Sequence, residues 1–256
     1  MIFSYFKRRR RERILRQSFP DAWRQALADN MWAYPLLDAD SRQRLEKIIQ
    51  VLVAEKNWEG CGGLQLTDEI KATVAAWAAL LLLNLEHDYY EKTLSILIYP
   101  SSYQALEPVF GGLDFHPVEG RLGEAWYRGP VILSWDRILE DGRQRGHANL
   151  AIHEFAHQLD MLNREADGVP PLENTAQYRS WSTVMAIEYE KLIEADEQGR
   201  PTLLDKYGAE NEAEFFAVVS ECFFEMPDLM REHHPRLYAI VMDYYRQDPA
   251  VSLARR

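Results

Sequence analysis

Apolar residues recur at spacings of three and four between residues 20 and 54: Trp23, Leu27 and Met31, then Leu45, Ile48, Ile49 and Leu52. That period lines one face of a helix with apolar side chains and predicts helical structure over the stretch. Residues 57–66, Asn-Trp-Glu-Gly-Cys-Gly-Gly-Leu-Gln-Leu, break the pattern, and their glycines predict a turn region. A phosphate-binding loop is excluded there, because Leu64 follows the glycines instead of Gly-Lys-Ser/Thr. Thr67 reads as an N-cap, with Asp68 and Glu69 in the first turn of a helix running to about Asn84. Residues 74–83 form the longest apolar run, about half of the roughly 20 residues that span a bilayer. They predict a buried core helix and no transmembrane segment. Two short strands are expected, 93–99 closed by Pro100 and 130–135. Between them lies a loop-rich stretch holding Gly111, Gly112, Pro117, Gly120, Gly123 and Gly129. Helical patterns at about 148–163, 175–197, 209–225 and 233–246 complete the chain. The expected fold class is α+β, predominantly helical, with a small sheet.

Composition adds two constraints. Of 256 residues, 47% are hydrophobic and 12% aromatic, enough for a sizeable core, so wholesale disorder is excluded. The net charge of −11 is unevenly spread. Residues 1–17 carry Lys7, Arg8, Arg9, Arg10, Arg11, Arg13 and Arg16 against Glu12, a net of +6, leaving −17 in the rest. A body that acidic repels phosphate, which argues against direct binding of nucleic acid. The basic head, 1–18, is expected as a flexible segment ahead of a single domain over 19–256. Ile2, Phe3, Tyr5 and Phe6 give that head a second reading as a weak contact with an anionic membrane surface. No apolar stretch or small-residue cleavage site follows the basic run, so it is not a secretory signal. Two cysteines, Cys61 and Cys222, cannot make a disulfide framework, and a reducing, cytoplasmic compartment is expected.

The chemistry concentrates in His153-Glu154-Phe155-Ala156-His157. Residues four apart on a helix share a face, with Cβ atoms about 5–6 Å apart, so both imidazoles can reach one metal ion. Glu154 sits about 100° round the helix, poorly placed as a ligand and well placed to address a water on the metal. Zinc suits the arrangement, since it takes tetrahedral nitrogen and oxygen ligands and leaves one position for water. Leu150, Ile152, Phe155, Ala156, Leu159 and Leu162 surround the histidines with apolar surface. A third ligand is required. The short extension His-x-x-Gly-x-x-His is absent, because Asp160 and Asn163 stand at its positions. A downstream helix is the obvious supplier. Glu214, Val218 and Glu221 share one face of the apolar segment 211–224, and geometry alone does not choose between the two acids. Asp160, one turn after His157, could orient a ligand imidazole through its free ring nitrogen.

Together, Leu150-Ala151-Ile152-His153-Glu154-Phe155-Ala156-His157-Gln158-Leu159-Asp160 and Ala213-Glu214-Phe215-Phe216-Ala217-Val218-Val219-Ser220-Glu221-Cys222-Phe223-Phe224 resemble the Mlc titration factor A, or DgsA anti-repressor, family of bacterial zinc peptidases. The likeness includes segments 97–100, 129–135 and 244–249, so it covers about residues 20–250. More remotely, the site is similar to the catalytic domain of anthrax lethal factor. The resemblance implies a zincin-like, gluzincin-type metallopeptidase domain holding one Zn²⁺ per chain. It implies His153, His157 and Glu214 as ligands and Glu154 as catalytic acid/base. It places a transition-state-stabilising tyrosine at Tyr207, with Glu221 as a supporting acid behind the ligands. It further implies peptide substrates, an aminopeptidase preference, and binding of the Mlc glucose repressor, which would raise glucose phosphotransferase gene expression. On the competing reading, the protein titrates that repressor and its peptidase activity is secondary.

Overall fold

The computed structural model describes residues 2–101, 129–146 and 148–254, with side chains from Tyr5 onward. Gly111, Gly112, Pro117, Gly120 and Gly123 of the loop-rich stretch lie outside the described residues. Helices open where the sequence supplies caps. Asp38 accepts the Ser41 N–H at the start of α3 (Ala39–Glu55), and Thr67 accepts the Ile70 N–H at the start of α4 (Asp68–Leu82). The remaining described helices are α1 (Ile2–Leu15), α2 (Asp21–Asn30), α5 (Trp135–Arg143), α6 (Leu150–Asp160), α7 (Thr175–Glu197), α8 (Glu212–Glu225), α9 (Pro227–His233), α10 (Pro235–Tyr245) and α11 (Pro249–Ser252). The chain is mostly helical, with one small sheet. None of the described helices is long and apolar enough to cross a membrane.

The sheet has order β1 (Asn57–Gly60), β2 (Ser95–Tyr99), β3 (Val131–Ser134), all parallel. Asn57 faces Ser95, and Ile96 faces Val131. Strand β1 falls inside the stretch expected to be a turn. It is four residues long, half of them exposed, and nothing but its pairing with β2 distinguishes it from loop. The turn follows it at Gly62 and Gly63, both at positive φ. The helical pattern over 20–54 resolves into α2 and α3, because a 3-10 turn at Tyr34–Leu36 and the Asp38 cap intervene. The helical pattern at about 233–246 corresponds to α10, which opens at Pro235, whose missing N–H and fixed φ suit a helix start, and α9 precedes it as a separate short helix.

Helix α4 is buried on nearly every face, from Ile70 to Leu82, as its apolar run predicts. It packs on α2, α3 and α6. At ~25 cal/mol per Å² of apolar surface removed from water, a large side chain such as the fully buried Trp77 contributes on the order of several kcal/mol. On the other side of α6 lies α8, fully buried over 213–225. Its aromatic face meets α7 and α10 through Phe216–Trp181, Phe223–Tyr245 and Phe216–Tyr244 contacts. Cys61 and Cys222 are buried free thiols.

The basic head, expected as a flexible segment, is helical as α1 and rests on α3. Arg11 grips both carboxylate oxygens of Glu55 and also pairs with Asp88. Lys7 donates to Asp88 at 2.7 Å, and Arg10 Nη2 donates to the Ala54 carbonyl at 2.8 Å. These bonds give the inner side of α1 partners that composition does not reveal.

Candidate metal centre

Two buried helices in contact build the site. Asn149 caps α6, accepting the Ile152 N–H at 3.1 Å, and Asn211 caps α8, accepting the Glu214 N–H at 3.0 Å. Four residues apart on α6, His153 and His157 turn their imidazoles to one side, ring centroids 4.8 Å apart. Their Nε2 atoms are 3.2 Å from each other. Glu214 Oε2, in the first turn of α8, lies 3.0 Å from His153 Nε2 and 3.3 Å from His157 Nε2. Ligand atoms of the three residues all fall within 4.8 Å of one another, so this group could hold a metal ion. Of the two acids that spacing left open, Glu214 meets both Nε2 atoms, whereas Glu221 meets Nδ1 of His153.

Glu221 Oε1 lies 2.7 Å from His153 Nδ1, and its Oε2 accepts the Asn149 N–H at 2.5 Å. With Nδ1 against Glu221, the ring turns Nε2 toward Glu214. Burial works against charge on His153, but Glu214 and Glu221 outweigh it and raise the imidazole to about 10. Burial also acts to push Glu214 up, and the two imidazoles overcome it, bringing that carboxyl down to about 2. Surroundings that favour a proton on the imidazole also favour a cation at the same nitrogen. The donor set, two imidazole nitrogens and a carboxylate oxygen, fits zinc with one position left open.

Glu154 is half-buried beside the histidines, and burial raises its carboxyl above the usual range, against the pull of both imidazoles. Tyr207 sits on a 3-10 turn, Lys206–Ala209, whose N-cap Asp205 accepts the Tyr207 N–H at 2.9 Å. Its ring centroid is 5.9 Å from that of His153, and burial, then Glu214, pushes its hydroxyl up to about 12.

Asp160 does not take the place expected of it. Fully buried at the end of α6, it accepts the Gly168 N–H at 2.9 Å through Oδ2, and its Oδ1 has no hydrogen-bond partner. The loop that folds back at Gly168 is the reason: the interval of three from His157 keeps Asp160 near the same helix face, but the loop claims its carboxylate.

Three residues outside the sequence reading hold the N-terminus of α6. Asp141 Oδ2 accepts the Leu150 N–H at 2.9 Å. Glu225, buried to 1% exposure, accepts from Asn149 Nδ2 at 2.8 Å, the Gly146 N–H at 3.0 Å and Trp32 Nε1 at 3.3 Å. Asn149 therefore joins Glu225 to Glu221 and to the helix it caps. One signal was present: Glu225 stands four residues after Glu221, on the same face of an otherwise apolar helix.

Comparison with known proteins gives one consistent picture. Residues 5–246 match the family model of the glucose-regulated metallo-peptidase M90. An uncharacterised protein of Synechocystis sp. is 37% identical over 250 residues, covering 95% of this chain and 90% of its own length. Mlc titration factor A of Serratia proteamaculans is 33% identical over 242 residues, covering 91% and 89%. The Yersinia pestis protein of the same name is also 33% identical, over 238 residues covering 91% and 87%.

Proposed function

Because the chain belongs to the glucose-regulated metallo-peptidase M90 family, the one that includes Mlc titration factor A, we propose that it is a zinc-dependent peptidase of aminopeptidase type, built on a zincin-like fold and acting in the cytoplasm. One observation carries the reading most: His153 Nε2, His157 Nε2 and Glu214 Oε2 converge on one point from two buried helices. These three residues would hold the ion, and residues 19–256 would form the peptidase domain. A bound zinc ion supplies Lewis acidity, lowering the pKa of a water toward about 7 and polarising the scissile carbonyl. Glu154 takes the proton of the attacking water and passes it to the leaving amine. Its raised carboxyl suits that exchange, since a general base works best near the operating pH. Tyr207, which keeps its proton up to about 12, donates a hydrogen bond to the oxygen that gains charge. Glu221 holds His153 in the tautomer that leaves Nε2 free.

The test is Glu154→Gln with peptide substrates. Bound zinc, read by elemental analysis, stays at one per chain while turnover falls by about 10²–10⁴-fold. Full activity in that variant overturns the assignment. The name shared by the Serratia and Yersinia relatives supports a second reading, in which the protein binds a partner resembling the Mlc repressor. A pull-down with that repressor separates the roles, because capture that persists in Glu154→Gln places binding apart from catalysis.

A further inference from the structure

Helix α1 divides its cationic residues between two sides. At 100° per residue, Lys7, Arg11 and Ile14 cluster on one side, with Arg10 at its border. These are the residues turned toward α3, through the bonds to Asp88, Glu55 and the Ala54 carbonyl. Directly opposite fall Tyr5, Arg9 and Arg13, with Arg16 one residue past the helix and Phe6 at the edge. All five are exposed, Tyr5 at 48% and Phe6 at 63%. Arg9 lies over the Tyr5 ring at 5.0 Å, and among the described residues no ion pair engages Arg9, Arg13 or Arg16. Arg8, by contrast, is paired with Glu12 at 3.2 Å. The arrangement is a helix fixed to the body by one side and presenting arginines and two aromatic rings on the other.

We propose that this outer side of α1 is a docking surface for an anionic lipid bilayer. Charge complementarity selects the occupant. A body of −17 is repelled by a phosphate surface, whereas the outer side of α1 offers it Arg9, Arg13 and Arg16, which no ion pair engages among the described residues. Screening over about 8 Å at physiological salt lets α1 approach headgroups with the body held beyond most of the repulsion. The exposed rings decide between a bilayer and a nucleic acid. Tyr5 and Phe6 stand beside the arginines on a convex helix, where rings enter the headgroup boundary. A single strand of nucleic acid is instead held in a cationic groove with its bases stacked on the rings, and this surface is convex. Each arginine near the surface contributes on the order of a fivefold gain in binding. Arg9, Arg13 and Arg16 together therefore account for about a hundredfold.

Flotation of the full chain with vesicles tests this. The probe is phosphatidylcholine containing about 30% phosphatidylglycerol, with pure phosphatidylcholine as the neutral control. Expected results are binding to the anionic vesicles only, loss at high salt, a drop of about a hundredfold in R9Q/R13Q/R16Q, and a clear weakening in Y5S/F6S. Circular dichroism of both variants establishes that α1 and the body stay folded. Equal binding to neutral vesicles, no binding to anionic ones at low salt, or full binding by the arginine variant overturns the proposal. So does a short DNA duplex that displaces the protein from the vesicles at equal phosphate concentration.

Discussion

Glu221 and Glu225 stand one turn apart on α8 and act on different parts of α6. The first meets the His153 ring, and its removal should leave the imidazole free to rotate. Glu221→Ala is expected to weaken zinc binding by about 10–100-fold, measured by competition with a chromophoric chelator. Unchanged affinity would show that the ring is oriented by packing alone. Glu225 acts through Asn149, and its carboxyl is pushed up to about 7 by burial, against the N–H donors of Gly146, Asn149 and Trp32. An unfolded glutamate titrates near 4.3, so between about 4.3 and 7 the folded state binds more protons. The stability that this group confers is therefore present at low pH and is lost as pH rises through 7. Glu225→Gln loses the Gly146 hydrogen bond, a cost of about 1–3 kcal/mol, but has no such titration. The wild type should lead this variant by more at about pH 5 than at about pH 8 in thermal unfolding. A gap that stays constant across the range removes Glu225 as its source.

At the level of elements, the loop after α6 is pinned at one glycine. Gly168 has φ +72°, donates to Asp160, and accepts from Trp181 Nε1 at 3.0 Å. A Cβ there would come 2.3 Å from the Glu212 carbonyl oxygen, at the first residue of α8. Gly168→Ala should cost about 2–4 kcal/mol by denaturant unfolding, from positive φ and the clash together. A loss under ~0.5 kcal/mol would mean the loop moves aside freely. The helices that carry chemistry were readable in advance, because the histidine pair and the apolar spacing of α6 and α8 are local signals. Strand β1 was not, since its four residues acquire identity only from β2. The inner side of α1 and the bonds from Asn149 to Glu221 and Glu225 were also hidden. Each joins residues far apart in the chain, such as Asn149 and Glu225 at a separation of 76, and no spacing rule reaches that far. Asp160 shows the converse error: its interval from His157 was right, and its partner lay in a loop with no period to read.

For the whole molecule, the metal reading makes stability depend on the ion. Ligand that binds the folded state stabilises by about 4 kcal/mol at a thousand times its dissociation constant. Stripping zinc with a chelator should lower the melting temperature by about 10 °C, restored on adding zinc back. A melting point indifferent to chelation would count against a tightly held ion. The −11 of the chain resolves into a gradient, with positive charge gathered on α1 and negative charge on the body that bears the centre.

His153 and Glu214 are 61 residues apart, and all of α7 lies between them. An ion shared by the two would act as a cross-link around a loop of that length. In the chain-entropy account, a bridge of this span restricts the disordered ensemble by about 4 kcal/mol, as much as a disulfide. For a protein whose two cysteines are buried and unpaired, the centre would be its one covalent-like staple, reversible by demetallation and indifferent to redox state.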